Sequence, residues 1–375
     1  MKEYITLDEV ADAYYDCRRR KGKSNGAVEY MLDYELNNLQ LWKELNEGTY
    51  TVSPSKAFCV TRPKLREVFC AAFRDHIVHH ALANKFLRLI ESTLTDAAFA
   101  CRKGKGVEYG VERAARAMYE VGQGYTREAW VLKCDMEGFF MSIDRERLYD
   151  KIADLINTQW RGTDKEWWLN LWRLVILNRP EQNCVKVGDL SLWNDLPKNK
   201  SLFTSGGKGL PIGNLPSQIL ANFYLSEFDR LMLREVGEGR YGRYVDDFFC
   251  VSESKEHLLR VMRTAREYLA TLGLKLHPKK VYLQPVSHGM EWTGAVIKPF
   301  GIVPSHRLKS FVMQMVDEWN DDGTPDEEQY IARYNSYMGF LVHRRSYGFR
   351  WKVWRNIAQK ARIVCVNMRK LKLIK

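Results

Sequence analysis

Asp246 and Asp247 stand side by side between Arg243-Tyr244-Val245 and the apolar run Phe248-Phe249-Cys250-Val251. The pattern predicts strand, tight bend, strand, with the bend at the two acids. Neighbouring carboxylates repel, and a bend that holds them together is favourable when a cation lies between them. Magnesium, which takes hard oxygen ligands and shares them with substrate phosphates, suits such a pair. An acidic turn in an ordinary hairpin would look the same, so the pair calls for a third carboxylate. Trp130-Val131-Leu132-Lys133-Cys134-Asp135 supplies one, as a buried strand that delivers Asp135 at its carboxyl end. A lone Asp there would most often cap the next element. Beside Asp246 and Asp247 it completes a candidate metal site.

Cations gather where phosphates would have to be held. Arg62-Pro63-Lys64-Leu65-Arg66 reads as a hairpin tip, with Lys64 and Arg66 either exposed turn residues or phosphate ligands. Arg102-Lys103-Gly104-Lys105-Gly106 precedes a helix, and glycines with cations at a helix start can cradle a phosphate. The spacing is not that of a P-loop, which ends in Lys-Ser or Lys-Thr. His76 and His80 are four apart on a predicted helix, but no acidic third ligand accompanies them, and they read as structural. From His343 to Lys375 there are eleven Lys or Arg and no acid, with Tyr347, Phe349, Trp351 and Trp354 interleaved and Arg350 and Lys352 among them. Cations with flat rings suit a nucleic-acid track. The stretch just before it, Asp317 to Glu328, carries seven acids around a Gly-Thr-Pro break.

The elements that would position these residues follow from spacing. A chain of 375 residues has room for two or three cores. A net charge of +12 implies an anionic partner. No run of about 18 apolar residues occurs and the first residues lack a signal-peptide core, so no membrane partner is expected. Eight scattered cysteines without a Cys-x-x-Cys pair fit reduced thiols in a cytoplasm. Residues 1 to about 50 read as helices, with Leu32, Leu36, Leu39, Leu41 and Leu45 at helical spacing. The basic loop 21–26 is either plain surface or a nucleic-acid contact. A strand over 50–60 and a helix from Phe73, striped by Val78, Leu82, Phe86 and Leu89, come next. Helical segments to about Leu177 lead to an irregular arm ending near 205, then a turn at 209–217 and one helix over 218–235. A helix over 255–272, a strand, a hairpin over 289–296 and basic helices from Ser305 complete the chain.

Taken in order, these blocks resemble the prokaryotic reverse transcriptases, from about Tyr50 to the C-terminal helices. Tyr244-Val245-Asp246-Asp247 inside an apolar hairpin is similar to the active-site tetrad of that family. Before it stand the basic hairpin, the Arg102–Gly106 run, Asp135 with Phe139-Phe140, and Gly209-Leu210-Pro211. After it come Leu276-His277-Pro278-Lys279-Lys280 and Trp292-Thr293-Gly294. Within the superfamily the resemblance is greatest to enzymes of diversity-generating retroelements. Most members carry Gln-Gly followed by Ser-Pro in the turn, whereas this chain has Ile212-Gly213 and Ser217-Gln218. Asn183-Cys184, Lys200-Ser201-Leu202-Phe203 and Asn335-Ser336-Tyr337-Met338-Gly339 also look like that group. Some phage-defence and abortive-infection reverse transcriptases share a similar altered turn.

The resemblance implies an α+β right-hand polymerase. Its parts would be N-terminal helices and fingers over 1–130, a palm with an antiparallel sheet over 131–300, a fingers insertion at about 155–210, and a basic helical thumb over 301–375. It implies RNA-directed DNA synthesis in a prokaryotic cytoplasm, from an RNA template and deoxynucleoside triphosphates. Two Mg2+ ions about 3.5–4 Å apart would be held by Asp135, Asp246 and Asp247. Lys64 and Arg66 would bind the triphosphate, and Lys280 would lie near the departing pyrophosphate. The Phe140 ring would exclude a ribose 2′-hydroxyl. Ile212, with Gly213, would stand near the nascent pair, where losing a Gln hydrogen bond would loosen base choice at template adenines. Arg102, Lys103, Lys105, Tyr244, Arg350 and Lys352 would meet template and primer, and Trp292 and Gly294 the primer end. A structured non-coding RNA and an accessory protein are expected partners. Two rivals remain: a defence enzyme that makes DNA with an RNA or protein partner and without a conventional template or primer, and an idle nucleic-acid-binding scaffold. The intact set of three acids argues against the scaffold.

Overall fold

The structure, a computed structural model, describes residues 2–21, 24–62, 64–321, 326–357, 363–366 and 368–373. Pro63 of the hairpin tip, residues 22–23 of the basic loop and the 322–325 break lie outside the described residues. In chain order the strands are β1 (Ser55–Val60), β2 (Arg66–Cys70), β3 (Trp130–Met136), β4 (Cys184–Lys186), β5 (Tyr241–Tyr244), β6 (Asp247–Ser252), β7 (Leu276–Pro285), β8 (Met290–Trp292), β9 (Ala295–Lys298), β10 (Gly301–Pro304), β11 (Ile363–Val366) and β12 (Lys370–Leu373). The helices are α1 (Leu7–Lys21), α2 (Asn25–Leu32), α3 (Tyr34–Glu47), α4 (Phe73–Glu91), α5 (Val107–Val121), α6 (Phe139–Ser142), α7 (Arg145–Gln159), α8 (Lys165–Ile176), α9 (Leu215–Tyr224), α10 (Ser226–Val236), α11 (Lys255–Thr271), α12 (His306–Asp321), α13 (Glu327–Leu341) and α14 (Tyr347–Asn356). They divide into two compact units that interleave in sequence. Met1–Cys101, Met136–Leu231 and Thr264–His277 form the first; Arg102–Asp135, Met232–Arg263 and Pro278–Lys375 form the second.

In the first unit, α4 packs against α1 and α9, and a three-stranded sheet has the order β2-β1-β4. β1 and β2 form the antiparallel hairpin, closed by Val60 opposite Arg66, and β4 joins in parallel with Ser55 opposite Cys184. The N-terminal leucine stripe splits: Leu41 and Leu45 are buried, whereas Leu32, Leu36 and Leu39 stay exposed. At about 100° per residue Leu36 and Leu39 lie across the helix from Leu41 and Leu45. The α4 stripe holds, with Val78, Leu82 and Phe86 buried. Arg145, buried at the start of α7, donates to the carbonyls of Gly209, Asn178 and Lys208 and pairs with Glu181 at 3.3 Å. A buried guanidinium met on several sides fixes the chain entering the 209–214 turn. The single helix expected over 218–235 is two, α9 and α10, meeting at Leu225.

The second unit holds a sheet of order β5-β6-β3-β7. β6 is antiparallel to both neighbours, from Trp130↔Ser252 to Asp135↔Asp247 on one side and from Tyr241↔Cys250 to Tyr244↔Asp247 on the other. Phe248, Phe249, Cys250 and Val251 are all fully buried, which explains their unbroken apolar run. Each such side chain contributes about 1.5–3 kcal/mol. α5 packs against β5 and β6, burying Val111, Ala114, Ala117 and Met118; the small alanines allow close approach. A second sheet, β10-β9-β8, brings Trp292 edge-on to Phe249 at 5.1 Å.

The C-terminal helices have their own core, including Val312, Trp319, Tyr334, Met338 and Val353. Trp319 stacks on Tyr330 at 3.9 Å. Beyond these helices the chain forms the antiparallel pair β11–β12, which the helical expectation missed although Ile363-Val364-Cys365-Val366 is strand-forming in composition. Asn335 ties that pair to α13: its Nδ2 donates to the Leu371 carbonyl at 3.1 Å, and its Oδ1 accepts from the Leu371 N–H at 2.7 Å. Among the described residues no helix is long and apolar enough to cross a membrane. Asn335→Leu, which keeps the branched shape and strands both Leu371 groups, should cost about 1–3 kcal/mol. A denaturation midpoint equal to that of the parent would contradict this role.

Candidate active site

Cross-strand register, more than the bend, gathers the acids. Asp135, the last but one residue of β3, lies directly opposite Asp247, the first residue of β6. Tyr244 and Asp247 pair across the hairpin, so the two-residue turn is Val245-Asp246. The bend therefore lies one residue earlier than the two acids suggested. Val245 takes φ 59, in the left-handed region, where a β-branched residue costs on the order of 1–3 kcal/mol. Arg243, fully buried, donates from Nη1 to the Val245 carbonyl at 2.9 Å and so holds this turn from below.

The electrostatics of the three acids are those of a crowded cluster. Burial, then the charges of Asp247 and Asp135, push the Asp246 carboxyl up to about 6. Lys280 Nζ lies 3.0 Å from both oxygens of Asp135, and Lys133 Nζ is 4.0 Å from Asp247 Oδ1. Among the described residues no three His, Cys, Asp or Glu side chains converge closely enough to enclose a metal ion. The donor set nevertheless fits a divalent cation: hard oxygens, mutual repulsion, and an ammonium already drawn onto Asp135.

The first unit brings together a second group. Phe140 lies in α6, and its carbonyl accepts from Leu210 N–H at 2.8 Å. The Ile212 carbonyl accepts from Phe69 N–H of β2 at 2.8 Å, and Asn214 Oδ1 accepts from Ala71 N–H at 3.3 Å. The 209–214 turn is thus sewn to both Phe140 and the β1–β2 hairpin. Gly213 has φ 121, and a Cβ there would fall 2.7 Å from the Phe69 carbonyl oxygen, so no other residue fits. Phe140 and Ile212 pack on the same core of Ala57, Phe69, Met141 and Leu202. Lys64 and Arg66 are exposed on the hairpin.

Other expected site residues vary in placement. Lys103 is exposed and Arg102 and Lys105 are half-buried, with Lys105 over the Tyr109 ring at 5.5 Å. Tyr244 and Gly294 are half-buried. Trp292 is fully buried against Phe249 and supports the sheet from inside. Arg350 departs from the expected strand contact: it is buried and donates to Ser346 Oγ at 3.2 Å. Lys352, Tyr347 and Trp351 remain exposed. Arg243 and Lys133 were missed. Their signal was a lone cation in each apolar strand, with Lys133 two residues from Asp135 and hence on its face.

Comparison with known proteins bears on the fold and the family. A telomerase from Candida tropicalis, solved in its apo form, superposes with a TM-score of 0.50 at 12% identity, over 76% of this chain and 52% of its own. The chain spans about half the length of that telomerase, and the likeness places its fold in the right-hand polymerase class. Residues 62–297 match the family described as reverse transcriptase (RNA-dependent DNA polymerase), and the chain belongs to that family of nucleotidyltransferases. It is also 22% identical to Protein YkfC of Escherichia coli (strain K12) over 308 residues, covering 73% of this chain and 74% of that one.

The raised Asp246 carboxyl has a measurable consequence. Between about pH 4 and 6 the folded protein keeps a proton that the unfolded chain has lost, so metal-free stability falls as pH rises through that window. Asp246→Asn removes the effect. It should stabilise the metal-free protein by about 1–2 kcal/mol near neutral pH, after allowance for solvent screening, and by little below about pH 4. Equal denaturation midpoints for parent and variant at neutral pH would refute the crowding.

Proposed function

We propose that the protein is an RNA-directed DNA polymerase whose nucleotidyl transfer is centred on Asp135, Asp246 and Asp247. The observation that carries this is the Asp135↔Asp247 register with Asp246 at the adjoining turn. Asp135, Asp246 and Asp247 would hold two Mg2+ ions. When bound, such ions lower the pKa of a primer hydroxyl and neutralise the triphosphate. The side chains orient and shield. Lys280 supplies positive charge beside the leaving pyrophosphate, Lys64 and Arg66 meet the triphosphate from the β1–β2 fingers, and the Phe140 ring excludes a ribose 2′-hydroxyl. The exposed Tyr347, Trp351 and Lys352 of the thumb helix α14 track the template–primer backbone and bases. Asp246→Asn should keep its fold but lose primer extension by several orders of magnitude, and should lose any Mg2+-dependent rise in melting midpoint. A folded variant that extends primers at the parental rate would refute the assignment.

For biological role we favour error-prone synthesis in a diversity-generating retroelement, with a structured RNA and an accessory protein as partners. The supporting observation is Ile212, an apolar side chain packed on the hydrophobic core; by the resemblance, it stands where most reverse transcriptases carry Gln. Without a polar contact to the nascent pair, discrimination rests on shape alone, and the loss is expected to be greatest opposite adenine. Ile212→Gln should lower misincorporation at template adenines more than at other bases, with overall synthesis retained. Sequencing cDNA copied from one RNA by both proteins decides this. A parent that copies adenine as faithfully as the other bases would favour the antiphage-defence reading instead.

A further inference from the structure

Residues 184–205 form an arm with little regular structure: β4, then short 3-10 turns at Leu190–Trp193, Lys198–Lys200 and Leu202–Thr204. None of the chemistry above uses it, yet it is firmly tied down. The anchor is Glu67 of β2, which is 1% exposed. Its Oε2 accepts from Trp193 Nε1 and from Ser201 Oγ, each at 2.8 Å, and its Oε1 accepts from Leu202 N–H at 2.7 Å. The three donors are neutral, and all three come from the arm.

The bonds place two apolar residues where they matter. Leu202 belongs to the buried core against which Phe140 and Ile212 pack. Leu202 Cδ1 would lie 3.0 Å from a Cβ at Gly209, so it presses on the start of the turn that carries Ile212. The Phe203 ring lies 5.5 Å from that of Phe69, with the Lys186 ammonium 4.1 Å over its face. Farther along the arm, Asn199 Nδ2 donates to Glu137 Oε1 at 3.1 Å, just ahead of α6.

We propose that the 184–205 arm, pinned by Glu67, is a positioning element for nucleotide choice, backing the Phe140 ring and the Ile212 turn. The proposal rests on the reading of Phe140 as the sugar gate. A gate rejects a single hydroxyl only if its ring cannot retreat. Phe140 sits in a helix of four residues, too short to be stiff alone. The core to which the arm contributes Leu202 supplies the missing resistance. Glu67, Ser201 and Leu202 act through Phe140 and Ile212, not by touching substrate.

The test compares kcat/KM for each deoxynucleotide with that for its ribonucleotide on one RNA template. Glu67→Gln cannot replace the carboxylate, because an amide offers one acceptor end and one donor end to donors on both sides. Leu202→Ala removes the backing directly. Both should reduce deoxynucleotide preference about tenfold, by improving use of ribonucleotides, with kcat for the correct deoxynucleotide held within about twofold. Leu202→Met, which restores volume, should restore the preference. Should the first two variants fail to fold, Ser201→Ala and Trp193→Phe each delete one bond and should move the ratio the same way. Phe140→Ala serves as the reference. If it loosens sugar choice while the folded arm variants keep the parental ratio, or lose both substrates equally, the arm is scaffold and the inference is overturned. If Phe140→Ala itself leaves sugar choice unchanged, the gate reading fails, and this inference with it.

Discussion

Three carboxylates held on one sheet repel one another, and much of the second unit serves to keep them there. The β3–β6 register places Asp135 against Asp247 with no freedom to separate, and the turn adds Asp246. The cost is visible in the raised Asp246 carboxyl and in a valine with left-handed backbone. What opposes it is the buried run Phe248 to Val251, which cannot slip by one residue without turning its side chains to the other face. Arg243 holds the Val245 carbonyl, and Lys280 and Lys133 supply partial neutralisation. Local strain at a site that the surrounding sheet over-determines is the usual signature of a functional turn.

This explains why the acids were legible in the sequence and the turn was not. Adjacent Asp residues inside an apolar run are conspicuous by type alone. The position of the bend depends on which residues pair, and Val245, a strong strand former, gave no hint of leaving the strand. Arg350 failed for a related reason. Its neighbours made the tail look uniformly solvent-facing, but Ser346, Arg350, Val353 and Ile357 share the inward side of α14. The split of the N-terminal leucines follows from the same arithmetic of helical phase. Composition marks a segment as basic or apolar, whereas phase decides which side chains are offered to solvent.

The contacts around Glu67 were beyond the reach of the sequence. Trp193, Ser201 and Leu202 lie 126 to 135 residues from it in the chain. A local reading sees an acid in a short strand and an irregular polar segment elsewhere, with nothing to join them. The remaining clue was alternation, since Glu67 shares a face with the buried Phe69. A carboxylate on an inward face must find donors, which makes such a residue a pointer to an unseen partner.

The placement of Lys280 bears on how the acid cluster can be both stable and reactive. Its ammonium is shared equally between the two oxygens of Asp135, at hydrogen-bond distance from each. Lys280 and Lys133 offset part of the repulsion that the three carboxylates exert on one another. Yet a divalent ion and an ammonium repel when both crowd one carboxylate. If Asp135 holds a metal ion, as proposed, Lys280 would have to turn away. Nearly half of its side chain is exposed to solvent, and four rotatable bonds allow that movement at modest cost. Once released, the ammonium is free for an anionic group at the same site. On the proposed reading, one lysine would first offset the repulsion that burdens the empty fold and then meet a phosphate, without rearrangement of the sheet.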